Sequence, residues 1–519
     1  MTATLVLHNA RVITMEPRQP RAQAVAVEGG RILAVGSDEE IRRQVRGAQA
    51  EAIDCRGQAV LPGFIDAHCH VLAYAANLLA VDCSPDAVSS IGDIQAAVRR
   101  QAEATPAGRW IRAVGYSEID LAEGRHPTRW DLDLAAPDHP VRLIHLSGHA
   151  CVLNSLGLHL CGIGGETEEP PGGYMERDAA SGEPSGLLLE MNELVRRAVP
   201  PLSWEELAEG VRLASGRFLT AGITSVVDAS HTNGPPEWEL LRRLCEEGHL
   251  LPRLTAMVGF DHREAAGRWK EDEGGGGCVE LGAVKIGIKE LGEEIYPEED
   301  VLAEMVAQAH AQGWQVSIHA VEERAVAAAA GALSRALAQL PRQDHRHRIE
   351  HCSVCPPALA ERIGKAEVMV VTQPSFLYYN LDRYLRQVAP QRQAYLYPLR
   401  SLLRAGVRLA AGSDCPVVGP EVVAGLHGAV ARRSKGGQEV GGEESISIEE
   451  ALGQYTTGAA YASFAEGERG SIAPGRLADL VVLSGDPMAC QPGELLALRP
   501  QMTIVGGRVV WRAEESGAA

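Results

Sequence analysis

The spacing of apolar and polar positions divides this chain into a barrel-like middle flanked by β-rich ends. Residues 4–60 run as short β-type stretches, TLVLHNARVITM, QAVAVEGGRILAVGS and AEAIDCRGQAVL, broken by turn residues at Asn9-Ala10, Glu28-Gly29-Gly30 and Arg56-Gly57. They predict a small antiparallel sheet with too little material to close its own core. GRLADLVVL (475–483) and MTIVGGRVVW (502–511) read the same way. A β-sandwich domain built from both chain ends, residues 1–60 and 470–519, accounts for both sets. Between them, β-type runs alternate with helical ones, which predicts βα units and a parallel sheet. The strands are expected at Phe64–His70, Thr224–Ala229, Leu254–Val258, Ala283–Ile288, Gln315–His319, His347–His351, Val368–Gln373 and Arg408–Asp414. Helical stretches such as Pro297–Gln312 and Glu322–Leu340 fall between them. Eight strands in this order make an α/β fold of the (β/α)8 TIM-barrel kind over residues 61–469. The interval from about 72 to 215 is too long for one βα connection. It carries its own helix near Ile91–Ala104 and a β-run at Val141–His145, and is read as an insertion domain after strand 1, lying over the C-terminal mouth of the barrel.

Composition narrows the function. The chain has 519 residues, 45% hydrophobic and 23% charged, which is globular with ample core. A net charge of −19 argues against a nucleic-acid or anionic-membrane partner. No apolar run approaches the roughly 20 residues of a membrane span, and the N-terminus does not read as a signal peptide. Eleven scattered cysteines fit reduced thiols in a cytoplasmic protein. The C-x-x-C pair Cys352 and Cys355 has no second pair at zinc-site spacing and reads as two ordinary thiols. Gly274–Gly277 lacks the Lys-Ser/Thr of a phosphate loop and reads as a surface run.

The candidate chemistry begins at LPGFIDAHCHV (61–71). Alternation in a strand puts Asp66, His68 and His70 on one face, and two imidazoles at i and i+2 can reach one metal ion. His319 ends QVSIHA, His351 ends HRIEHC and Asp414 ends RLAAGSD, so four predicted barrel strands finish on metal-competent side chains, where this fold places catalysis. Zinc lowers the pKa of a bound water to about 7 and polarises a carbonyl. Asp414 is suited to accept the water's proton and return it to a leaving nitrogen, and no Ser or Cys nucleophile is then required.

PGFIDAHCH, SGHACVLNSLGL, QVSIHAVEE, RIEHCSV, VTQPSFLYYNLDRYL, AAGSDCPV and GSIAPGRLADLVVL together resemble the amidohydrolase superfamily, in its branch of N-substituted formamide deformylases and YtcJ-like proteins. The resemblance spans nearly the whole chain. It implies that His68, His70 and Asp414 bind the more buried metal. His319 and His351 then bind a second metal or complete a single site, and a carboxylated strand-four lysine bridges the ions. The cofactor is one or two Zn2+, with other divalent metals open. GAVKIGIKELG offers Lys285 and Lys289 on one face; depth favours Lys289 and the family pattern favours Lys285, which is the choice made. Substrate-side candidates are His149 and Asn154 in the insertion, Tyr296 after strand four and Gln373 after strand seven. The expected activity is hydrolysis of a non-peptide C–N bond in a small molecule, an amide or N-substituted formamide. The rival is an amidine deaminase acting on a purine- or pyrimidine-like ring, kept open by Glu322 three residues after His319. A non-catalytic scaffold is the third reading. A homodimer is left open.

Overall fold

The computed structural model describes residues 3–45, 50–272, 278–291 and 294–514, so the Gly274–Gly277 run lies outside the described residues. All eight expected barrel strands form: β1 Phe64–Cys69, β2 Ile223–Asp228, β3 Arg253–Gly259, β4 Val279–Ile286, β5 Val316–Ala320, β6 Arg348–His351, β7 Met369–Thr372 and β8 Leu409–Ala411. Each lies parallel to the next in chain order. Most of their residues are buried on both faces, which is why these segments read as near-continuous apolar runs. The helices Glu299–Ala311 and Glu323–Gln339 sit within the predicted helical stretches.

The eighth strand ends three residues earlier than expected. After Ala411 the backbone turns out of the ladder, with Asp414 at φ 57°. Asp414 N–H donates to His68 O at 2.8 Å and His70 N–H to Cys415 O at 2.9 Å, so the chain after β8 closes on β1 at the C-terminal end. The approach requires glycine at 412, because a Cβ there would lie 2.5 Å from His68 N.

The chain ends build two further sheets. One orders Arg31–Gly36, Ala24–Glu28, Leu5–His8 and Glu51–Asp54; the other Arg508–Arg512, Pro500–Val505, Leu480–Leu483, Ala59–Pro62, Arg11–Ile13 and Arg21–Ala22. Leu7, Val12, Val25, Val60, Leu480, Val482 and Ile504 share one apolar cluster drawn from both. The purely antiparallel expectation needs correction. Leu5–His8 pairs parallel with Glu51–Asp54, and Arg11–Ile13 with Ala59–Pro62. These partners are joined by long connections rather than tight turns, which permits parallel pairing.

By contacts the chain separates into two compact units. The first is Met1–His70, Ser215–Ile288 and Pro297–Ala519; the second is Val71–Ala214 with Lys289–Tyr296. The second unit has a six-stranded sheet whose central strands Ile111–Tyr116, Val141–His145 and Ala150–Leu153 pack with helix Ile91–Ala104 through Ile94, Val98, Leu143 and Val152. It also holds the hairpin Lys289–Leu291/Glu294–Tyr296, which the sequence reading assigned to the barrel. No helix among the described residues is long and apolar enough to cross a membrane.

Candidate metal centre

Five of the predicted ligands meet at the C-terminal strand ends. His68 lies in β1 and His70 just beyond it, His319 is in β5, His351 closes β6, and Asp414 follows β8. Asp414 Oδ1 is 3.3 Å from His68 Nε2 and 3.1 Å from His70 Nε2. Its Oδ2 is 3.9 Å from His351 Nδ1, and His351 Nε2 is 2.9 Å from His319 Nδ1. A tetrahedral ion with bonds of about 2.0–2.1 Å to nitrogen separates its ligand atoms by ~3.3 Å. One ligand atom each from His68, His351 and Asp414 falls within 4.8 Å of the others. His68 Nε2 is buried without a hydrogen-bond partner although a carboxylate lies beside it. These side chains fit a divalent cation.

Two of the five adopt left-handed backbone, His351 at φ 70° and Asp414 at φ 57°. For non-glycine residues this costs on the order of 1–3 kcal/mol each, a strain common at functional sites. Burial would raise the Asp414 carboxyl, but the neighbouring imidazoles of His68, His70 and His351 outweigh it and hold it well below the usual range. Burial lowers His351 to about 3.

The rings are aimed from behind, by residues the sequence reading passed over. Glu350 Oε2 lies 2.5 Å from His68 Nδ1, and Ser230 Oγ is 2.9 Å from His70 Nδ1. Gln373, expected at the substrate, is instead fully buried with Oε1 2.9 Å from His351 Nδ1. There its amide oxygen faces a candidate ligand histidine, while its Nε2 has no hydrogen-bond partner. Arg348 donates to both oxygens of Glu350, at 2.5 and 2.9 Å, and Ser317 Oγ donates at 2.7 Å. One signal was present in the sequence: Arg348 and Glu350, two residues apart, place opposite charges on one face of an otherwise apolar strand. A second acid–thiol group, Asp66, Cys69 and Cys415, also gathers. Asp66 there accepts from His68 N–H, Ser413 N–H and Ser413 Oγ, which makes it a tie between β1 and the chain after β8.

The two lysines separate. Lys285, in β4, is buried, and its Nζ has no hydrogen-bond partner. Burial lowers it to about 8, against the carboxylates of Glu350 and Asp414. Lys289 belongs to the hairpin of the second unit, where Nζ donates to Glu190 O at 3.3 Å and lies 5.9 Å from the centre of the Tyr296 ring. Glu322 stands at the N-cap position of the helix Glu323–Gln339, without a side-chain capping bond, and pairs with Arg392 at 2.6 Å.

The remaining substrate candidates belong to the second unit. His149 is half-exposed, with Nδ1 2.6 Å from Glu190 Oε1. Tyr296 is exposed at the end of its hairpin. Asn154 requires correction. It is fully buried, its Oδ1 accepts from Val141 and Gly157 N–H at 2.9 Å, and its Nδ2 donates to Ala136 O and His139 O. Both ends of its amide are engaged in capping the helix Ser155–Leu160, so it serves the fold.

Comparison with known proteins gives the family. A sequence profile of the amidohydrolase family matches residues 51–511. The chain belongs to the amidohydrolase family. A short second match, residues 24–44, is to an imidazolonepropionase-like composite domain of bacteria. This amidohydrolase is 32% identical to an N-substituted formamide deformylase of Arthrobacter pascens, over 99% of each chain. It is 29% identical to YtcJ of Bacillus subtilis (strain 168), named as an amidohydrolase, over 98% of this chain and 99% of that one. Among solved structures, an uncharacterized metal-dependent hydrolase from Pyrococcus furiosus superposes with a TM-score of 0.72 at 25% identity, covering 93% of this chain and 99% of its own.

Proposed function

We propose that this amidohydrolase cleaves a non-peptide C–N bond of a small molecule, an amide of the N-acyl class with N-substituted formamides first among them, at a centre of one or two divalent cations, zinc being the first choice. The observation that carries the reading is the convergence of His68, His70, His319, His351 and Asp414 beside the buried, unpartnered amine of Lys285. The kinship with a formamide deformylase supports the substrate class.

His68, His70 and Asp414 would hold one ion, and His319 and His351 a second or the rest of a single site. A divalent cation bound there would lower the pKa of a water molecule and polarise the amide carbonyl. Asp414 takes the proton from water and delivers it to the leaving nitrogen, which departs as a neutral amine. Lys285, lowered to about 8, keeps a neutral fraction near neutral pH. That amine can attack carbon dioxide, losing a proton, to give a carbamate, an anionic oxygen donor that would help hold a divalent cation. His149, held by Glu190, is the proposed partner of the substrate carbonyl, with Tyr296 a further contact. The salt bridge of Glu322 to Arg392 favours amide hydrolysis over ring deamination, since the deaminase reading needs that carboxylate at the metal. A cytoplasmic location and a composite β-sandwich domain from residues 1–60 and 470–519 belong to the same proposal.

The test is a hydrolysis screen of metal-replete protein against N-formyl, N-acyl, cyclic-amide and aminopurine compounds. Turnover of N-formyl or N-acyl amides is expected. Ammonia release from aminopurines alone would overturn the reading in favour of the deaminase.

A further inference from the structure

We infer that Glu350 is a positioning residue that fixes the tautomer of His68 and thereby sets the affinity of the metal centre; the inference rests on the metal-dependent reading above. A histidine binds a cation through a nitrogen that carries no proton, so the other nitrogen must hold the proton and needs an acceptor. Behind His68 that acceptor is Glu350 Oε2, 2.5 Å from Nδ1, leaving Nε2 directed at Asp414 Oδ1. His68 and Glu350 are both fully buried, so no water competes for the contact.

The carboxylate is itself locked. Oε1 accepts from Arg348 Nε and Ser317 Oγ; Oε2 accepts from Arg348 Nη2 and from His68. Arg348 also donates to Ala67 O at 2.7 Å, beside His68 in β1. Every neighbour of the two oxygens is therefore a donor, and only an acceptor with two anionic oxygens satisfies all of them. This sets Glu350 apart from the other two acceptors behind the ligands. Gln373 offers His351 a neutral amide oxygen, and Ser230 offers His70 a hydroxyl that can donate as well as accept.

Glu350→Gln is the discriminating change. Its NH2 must occupy one oxygen position. At Oε2 it faces His68 Nδ1 and drives the proton to Nε2, the metal-facing atom; at Oε1 it opposes Arg348 Nε. Removing such an outer partner costs about 10–100-fold in metal affinity. The experiment strips wild type and variant with a chelator, then titrates Zn2+ and Co2+ against a competing chelator, with thermal melts of the metal-free proteins alongside. The expected result is a 10–100-fold weaker affinity and a changed Co2+ absorption spectrum for Glu350→Gln, with Ser317→Ala within about threefold of wild type. Should the unpaired Arg348 prevent folding, the double variant Arg348→Met/Glu350→Gln removes both charges and is expected to show the same loss. Wild-type affinity in whichever of these folds overturns the inference, even where its apo form melts lower, because that pattern belongs to a purely structural ion pair. Failure of wild type itself to bind either ion overturns the metal-dependent reading instead.

Discussion

Two histidine clusters lie at opposite ends of one barrel strand, and the proposed metal centre uses only one of them. His347 precedes β6 and His351 closes it, four residues and about 13 Å apart. At the lower end His310 Nε2–H donates to Leu340 O at 2.7 Å, His347 Nε2–H donates to His310 Nδ1 at 2.8 Å, and His347 Nδ1 accepts from Val316 N–H at 2.9 Å. All four ring nitrogens have protein partners. At the upper end Nδ1 of His68, His70 and His351 has an acceptor behind it, while each Nε2 faces another ligand candidate. Burial lowers His347 to about 2 and His351 to about 3, so neither depth nor a lowered pKa separates the clusters. What lies in front of the rings does: the lower pair ends on backbone groups, whereas the upper rings converge on the Asp414 carboxylate and on one another, and His68 Nε2 has no hydrogen-bond partner.

The largest effects are expected at the upper cluster. Asp414→Asn keeps the shape but removes the proton acceptor and weakens a ligand, and turnover should fall by roughly a thousandfold or more. Steady-state kinetics decide it, and near-normal turnover would assign the base elsewhere, with Glu322 next in line. Lys285→Ala should lose most activity and regain part of it with added small carboxylic acids, whereas Lys289→Ala should keep the metal centre. The reverse pattern would reassign the bridging lysine.

The lower cluster should answer in stability instead. His347→Ala leaves Val316 N–H and His310 Nδ1 unpaired, at about 1–3 kcal/mol for each buried group, with metal content unchanged. Its pH dependence has a fixed sign. The folded pKa of about 2 lies below the unfolded value of about 6.5, so the unfolded chain takes up the proton first. This contribution to stability is complete above about pH 6.5 and is lost as pH falls toward 2, at ~1.4 kcal/mol per pH unit. Denaturant titrations should show that slope diminished in His347→Ala. The smallest effect is assigned to Asn154→Ala, a loss of about 1–2 kcal/mol from the missing cap with KM unaltered. A raised KM would return Asn154 to the substrate.

The eight strands were legible because most of their residues are buried and apolar and four end in ligand-type side chains. The sheets of the chain ends were legible as strands but not in direction, since alternation carries no sign of parallel pairing. Lys285 and Lys289 could not be separated by period alone; the strand stops at Ile286, and the second lysine starts a hairpin of the other unit. Gln373 and Asn154 were legible as polar residues at element ends, the position of substrate contacts and of structural caps alike. Glu350 was hidden by its neighbour: beside a ligand histidine, an acidic residue inside the strand reads as incidental until its partners Arg348, Ser317 and His68 are seen.

The central claim, that the upper cluster holds metal and the lower one does not, is tested most directly by elemental analysis of purified wild type, His68→Ala and His347→Ala. The account predicts one or two equivalents of divalent metal in wild type, the same in His347→Ala, and a loss of at least one equivalent, with activity, in His68→Ala. A fully metallated His68→Ala protein would contradict it.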